Sequence, residues 1–337
     1  MLRNSILSTA IISLLFVANQ VSAQDTSEFM PHGKVFAKVY SDYSTDFSNE
    51  EINSVGFNLE RSYFGYKYYT SESFSAQVKI DIGNPDDVTA GALKKRMAYV
   101  RNAYGTYTLD ASTTISFGLI DIMTANLQEK AWGKRYVYKT FQDKHKFGNK
   151  TDVGVILKHS VNSQLDVDFA ITNGEGYARV QEDMDFVYGF GATIKPTQDL
   201  LLRFYGDYSN LHFKPVTLNS LISITPADKI SLNAEYMYKF NNAGLENHDL
   251  SGLSLYTTFE LEKRINFYAR YDKLWSNVLD HDTNPWNHQA DGNAIVSGIE
   301  FTPLDNFRFA INYSGWIFDN SAISTKNKIG VYTEITF

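Results

Sequence analysis

Apolar and polar residues take turns along most of this chain. Phe74-Ser75-Ala76-Gln77-Val78-Lys79-Ile80-Asp81-Ile82 keeps the pattern over nine positions, and 165–171, 230–236 and 307–313 repeat it. Side chains of a strand point alternately to its two faces, so each segment reads as a strand apolar on one side and polar on the other. Sixteen segments read this way: 33–43, 55–69, 74–83, 96–109, 114–123, 150–160, 165–173, 185–195, 200–210, 218–225, 230–240, 249–261, 265–274, 293–302, 307–317 and 327–337. The segment 218–225 is the weakest, being short and followed by Pro226. No stretch of similar length sustains helical spacing. Ordinary strands average ~5–6 residues; most of these match the ~9–11 that cross a bilayer at a tilt.

The links between segments sort into two kinds. Seven are tight: 70–73, 110–113, 161–164, 196–199, 226–229, 262–264 and 303–306. The eight between them are mostly longer and more polar: 44–54, 84–95, 124–149, 174–184, 211–217, 241–248, 275–292 and 318–326. Strict alternation of short and long links predicts an all-β fold, an antiparallel up-and-down transmembrane barrel of 16 strands. Its short rim is periplasmic, its long rim extracellular, and the third extracellular loop is the longest. A propeller or β-helix gives no reason for such sorting, and no blade-length repeat is present. A sheet in hydrocarbon must close on itself, so segment 33–43 is expected to pair with 327–337.

Composition agrees with a membrane location. The chain holds 22 Tyr, 23 Phe and 4 Trp. Its mean hydropathy of −0.29 would suit a soluble protein, but lipid-facing and water-facing residues cancel within each barrel strand. Aromatics gather toward segment ends (Tyr40, Tyr43, Tyr66, Tyr68, Tyr69, Tyr104, Tyr107, Tyr205, Tyr208, Tyr236, Tyr238, Trp275, Tyr313, Trp316), as in a girdle at the headgroup level. Arg3, the apolar run 6–18 and Val21-Ser22-Ala23 have the three-part layout of a secretory signal peptide. Residues 1–23 are therefore expected to be cleaved, leaving 24–32 as a short periplasmic segment and 33–337 as the barrel. That leaves no room for an N-terminal plug. Zero cysteines suit a large exported protein held by its hydrogen bonds. A net charge of −7 argues against a nucleic-acid partner.

Sixteen strands enclose a lumen wide enough for water. Expected inward positions include Lys79, Lys158, Arg203, Lys239, Arg270 and Arg308 among the cations, and Asp81, Asp168, Glu235, Asp272 and Glu300 among the acids. Charges in that number predict a wet wall, since a dry core would not accept them. The link 124–149 carries Lys130, Lys134, Arg135, Lys139, Lys144 and Lys146 against Glu129 and Asp143, +4 within a chain of −7. Folded inward, it would form a constriction that concentrates anions, with Trp132, Tyr136, Tyr138, Phe141 and Phe147 to pin it to the wall. The mixed sign of that wall makes the expected preference moderate. The alternative is a solvated basic surface loop.

The last segment ends on Phe337, and resembles the closing strand of bacterial outer-membrane barrels, whose terminal aromatic serves the assembly machinery. The whole arrangement resembles the phosphate-selective porins, types O and P, in their Bacteroidetes form. The segments 128–133 (QEKAWG), 139–143 (KTFQD) and 172–177 (TNGEGY) carry the likeness, which covers roughly 33–337. The resemblance implies a Gram-negative outer-membrane channel for passive diffusion of small hydrophilic solutes, often anions, commonly a homotrimer with no cofactor. Selective members carry a ladder of lumenal arginines; here only Arg203, Arg270 and Arg308 could be rungs, interleaved with acids. Two other readings stand beside it. A barrel enzyme, phospholipase or protease, would need a site, yet no His-Glu-x-x-His or Gly-x-Ser-x-Gly occurs. Asp280-His281-Asp282 with His288 and Asp291 is the most suggestive cluster. A loop-based surface receptor would use 124–149 for an external partner.

Overall fold

Every strand pairs antiparallel with its neighbours in sequence, and the ladder closes where the first strand meets the last. A computed structural model describes residues 29–49, 51–83 and 97–337. The expected signal peptide, most of the segment 24–32 and the second long link lie outside the described residues. The strands are β1 (His32–Ser48), β2 (Glu51–Tyr69), β3 (Phe74–Gly83), β4 (Met97–Thr108), β5 (Thr113–Asp121), β6 (Thr151–Asn162), β7 (Leu165–Thr172) and β8 (Val187–Thr197). They continue as β9 (Leu200–Ser209), β10 (Val216–Ala227), β11 (Ile230–Phe240), β12 (Leu250–Glu262), β13 (Ile265–Ser276), β14 (Gly292–Leu304), β15 (Phe307–Phe318) and β16 (Lys326–Thr336). All sixteen expected strands are present, the doubtful one at 218–225 being a full strand of 12 residues.

Closure runs from Lys38 opposite Thr336 to Phe47 opposite Asn327. Phe337 extends it: its N–H donates to Ala37 O at 3.1 Å, and Ala37 N–H donates back at 2.7 Å. No edge is left in this ring, which is what hydrocarbon demands of a sheet. The outer face is apolar. Phe64, Phe117, Phe190, Phe204, Ile311 and Val331 are among the large side chains it exposes. With nothing polar to hide, that face needs lipid rather than water.

Two features depart from the alternation. The first long link is mostly strand: β1 runs on to Ser48 and β2 starts at Glu51, a hairpin of 17 and 19 residues. Thr45 faces Val55 and Phe47 faces Ile52, so the ladder runs on beyond the expected strand end. Bulges also shift the register, between Tyr40 and Ser41 against β2 and between Lys79 and Ile80 against β4. An extra residue in one strand reverses which side chains face inward beyond it. The girdle expectation needs correcting at Tyr40, Tyr104 and Trp316. Tyr40 and Trp316 are buried within clusters inside the barrel, and Tyr104 packs on a third.

Ile311 on β15 stands between Ile299 and Val331 in register, all three exposed on the outer face. Ile311→Arg is expected to destabilise the barrel by about 2–4 kcal/mol, read from unfolding in lipid vesicles. No loss would mean that this belt does not face hydrocarbon.

Candidate functional site

The link between β5 and β6 is closed at its base by Ile122 N–H donating to Lys150 O at 2.9 Å. It contains two helices that the hydrophobic pattern did not announce. α1 (Met123–Trp132) ends on Gly133, whose left-handed φ of 64° carries its N–H to Glu129 O. α2 (Phe141–His145) is capped by the Thr140 side chain, which accepts from Asp143 N–H. The buried stripe of α1 is Thr124, Gln128 and Trp132, four residues apart. Two of these are polar, which hides a helical period in hydrophobicity alone.

That stripe meets the inward face of β9–β13. Thr124 Oγ1 accepts from Arg203 at 3.0 Å, and Gln128 Nε2 donates to Glu235 at 2.9 Å. Trp132 packs edge-on against Tyr256 and Tyr268, with ring centroids 5.4 and 6.0 Å away. Further along, Tyr136 OH donates to Glu300 at 2.7 Å, and Lys134 Nζ reaches the same carboxylate at 3.0 Å. Lys139 O accepts from Arg270 at 3.1 Å. Phe141 and Phe147 then insert among Met237, Leu250, Leu274 and Ala294. The segment therefore lies inside the barrel, bound mainly along one side, with Tyr136 and Val137 also packed in a cluster with Tyr40 and Tyr332. Each buried aromatic contributes about 1.5–3 kcal/mol, which fixes the segment in place.

The expected wet wall is dry on this side. Arg203 is fully buried, bidentate to Asp168 and bonded to Thr193. Arg270 is 3 % exposed, bidentate to Asp272 at 2.8 Å for both bonds, and stacked beside Trp132 at 4.9 Å. Charges there are matched by opposite charges and by the loop instead of by water. Arg308 serves Glu300 and Glu334, Lys239 donates to Lys146 O, and Lys158 stands opposite Asp168 in register. Of the six wall cations read from the sequence, Lys79 alone lines either of the two cavities across the lumen.

Two cavities lie on the opposite side, and Tyr40 lines both. The larger, about 930 Å³, opens among the long-rim ends of β1, β2, β15 and β16. Its cations are Arg61, Arg135, Lys139, Lys144, Lys326 and Lys328, against Asp46 and Glu60. The smaller, about 270 Å³, holds Lys38, Lys79, Arg101 and Lys150 against Asp121 and Glu129. Ten cations thus face four acids, and some of the excess is matched from behind. Arg61 pairs with Asp81 at 2.8 Å, and Arg135 with Asp143 at 2.8 Å. Lys150 reaches Glu129 at 2.5 Å and Asp143 at 3.7 Å. Counting Asp81, Asp143, Glu334 (3.8 Å from Lys38) and the terminal carboxylate of Phe337, ten cations meet eight carboxylates among the described residues.

The eight loop residues divide accordingly. Arg135, Lys139 and Lys144 line the larger cavity and Glu129 the smaller. Lys134 is buried on Glu300, and Asp143 is half-buried between Arg135 and Lys150. Lys130 and Lys146 are exposed. Sequence reasoning missed Arg61 and Arg101, each beside a register shift, and Lys150, one residue past the expected loop end. In the seventh long link, Asp291 is buried and accepts from Ser276 N–H, Ser276 Oγ and Asn287 Nδ2, so it fastens that link.

No protein-family model and no curated protein matches the chain. Solved structures do. The outer-membrane expressed OmpT of Vibrio cholerae is 11% identical over 93% of this chain and 100% of its own, with a TM-score of 0.64. A trimer form of OmpT also matches, at 0.61. The outer membrane channel DcaP of Acinetobacter baumannii is 10% identical, covering 94% and 100%, at 0.63. Salmonella typhi OmpF in complex with daunomycin is 10% identical, covering 90% and 97%, at 0.66. The likeness is one of fold: a closed 16-strand outer-membrane barrel of porin type. With its apolar outer face, this chain is an integral outer-membrane protein. The resemblance to phosphate-selective porins gains no support from these matches.

Gly252 on β12 leaves the notch that receives Phe141, and any side chain there would overlap the ring. Gly252→Val is expected to weaken the seat of α2 by about 1–3 kcal/mol. Faster proteolysis within 139–147 of the folded barrel would report it, and unchanged cleavage would count against this anchor.

Proposed function

We propose that the protein is a porin: a water-filled channel through which small hydrophilic solutes diffuse, with a moderate preference for anions. The observation that carries this reading is the basic lining of the two cavities between the inserted segment and the wall of β1–β4 and β16. Low-dielectric walls focus a small excess of positive charge and raise the local anion concentration. The inserted segment supplies one side of the constriction through Arg135, Lys139 and Lys144. Phosphate is not singled out, because the arginines that could have formed a ladder, Arg203 and Arg270, are sealed beneath the segment. A role without catalysis suits the site, where Glu60 and Glu129 pair with Lys328 and Lys150, and Asp46 and Asp121 accept from Ser54 and Asn102. Three such barrels side by side, as in the OmpT trimer form, are the assembly we expect.

Planar-bilayer reversal potentials in a potassium chloride gradient test the channel and its sign. Chloride should permeate better than potassium. Lys139→Gln, Lys144→Gln and Lys326→Gln together should lower the permeability ratio about two- to threefold, the effect of roughly one kT in local potential. A cation-selective wild type, or no conductance, would overturn the reading.

A further inference from the structure

Arg61, Arg135, Lys38, Lys150 and Lys328 each reach a carboxylate, whereas Arg101, although buried, reaches none among the described residues. It is 6 % exposed, and among the described residues it makes no ion pair and no hydrogen bond. Its one close partner is the Tyr177 ring, whose centroid lies 4.3 Å from the guanidinium carbon. Tyr177 comes from the link between β7 and β8 and stands edge-on to Tyr99. Across the 270 Å³ cavity, Lys79 likewise forms no ion pair among the described residues and sits 5.6 Å from the Tyr63 ring. A guanidinium with little water and no counter-ion is costly. Its planar fork suits a carboxylate or similar oxyanion held by two bonds.

Charge bookkeeping narrows the ligand. The cavity's four cations are Lys38, Lys79, Arg101 and Lys150. Against them stand Asp121, Glu129 and Glu334, the last 3.8 Å from Lys38. Asp143, which also approaches Lys150, is already matched by Arg135. With the terminal carboxylate of Phe337, which also lines the cavity, the four cations meet four carboxylates, yet none of these pairs with Arg101. Resting on the channel reading above, we infer that Arg101 and Lys79 form a binding site for a small monovalent carboxylate at the short-rim end of the passage. The site favours a monoanion over a dianion, since each added negative charge enters a cavity whose cations and carboxylates are already equal in number. It has the room for a molecule of a few heavy atoms, and Tyr177 holds the guanidinium in place as a positioning residue.

Acetate is the probe, applied to the full-length folded barrel in planar bilayers. Single-channel conductance in potassium acetate should saturate with concentration in the wild type. For Arg101→Gln the half-saturating concentration should rise at least about tenfold, the loss of one charge-assisted contact. Lys79→Gln should raise it less. Tyr177→Leu should raise it while Tyr177→Phe restores the wild-type value, since the ring and not its hydroxyl faces the guanidinium. Linear conductance in the wild type would overturn the site, whatever the variants do, and so would tighter binding of phosphate at pH 8.5, where it is a dianion. An anion-selective channel without saturation removes only this site; a cation-selective one removes the channel reading itself.

Discussion

The backbone amide sets the terms for this molecule. In hydrocarbon an unpaired N–H or C=O costs several kcal/mol, so a spanning sheet has to satisfy every strand from its neighbours. The pairing of β1 with β16 and the two bonds between Ala37 and Phe337 complete that ring. Once the ring is closed, the two faces of each strand are free to answer different solvents. Outside, Phe204 and Ile311 meet lipid; inside, the chain can carry a large load of charge.

That load is handled in two ways. Beneath the inserted segment, Arg203 with Asp168 and Arg270 with Asp272 are bidentate and dry, and they act as fixed points for α1 and for Lys139 O. Across the lumen, Arg61, Lys150 and Lys328 stay near cavities and pair less completely. A buried ion pair adds little net stability, but breaking one is expensive. The dry side therefore contributes rigidity and register, and the other side keeps the field that solutes meet.

The sequence was most legible where one rule governed a long stretch. Period-two alternation marks all sixteen strands, because lipid on one side and polar surroundings on the other impose it residue by residue. It was less legible where geometry intervened. Bulges near Tyr40 and Lys79 lie beside Arg61 and Arg101, two cavity cations that strict alternation did not pick out. The Thr124, Gln128 and Trp132 stripe mixes polarity, so α1 was read as irregular. Inward-facing charge was identified, but not its matching: nothing in one dimension says that Arg270 finds Asp272 and is then covered by Trp132.

The segment between Ile122 and Lys150 is gripped chiefly by β9–β15, with Tyr136 also touching Tyr40 of β1, and the rest of its far side borders the two cavities. The two jaws of the passage are thus written in different parts of the gene product: one shared with the lipid-facing staves, the other in a single uninterrupted insert. Rewriting the cavity-lining residues of that insert, Arg135 and Lys144 for example, alters the sieve without disturbing any residue that touches membrane. Permeability can drift while the container stays the same.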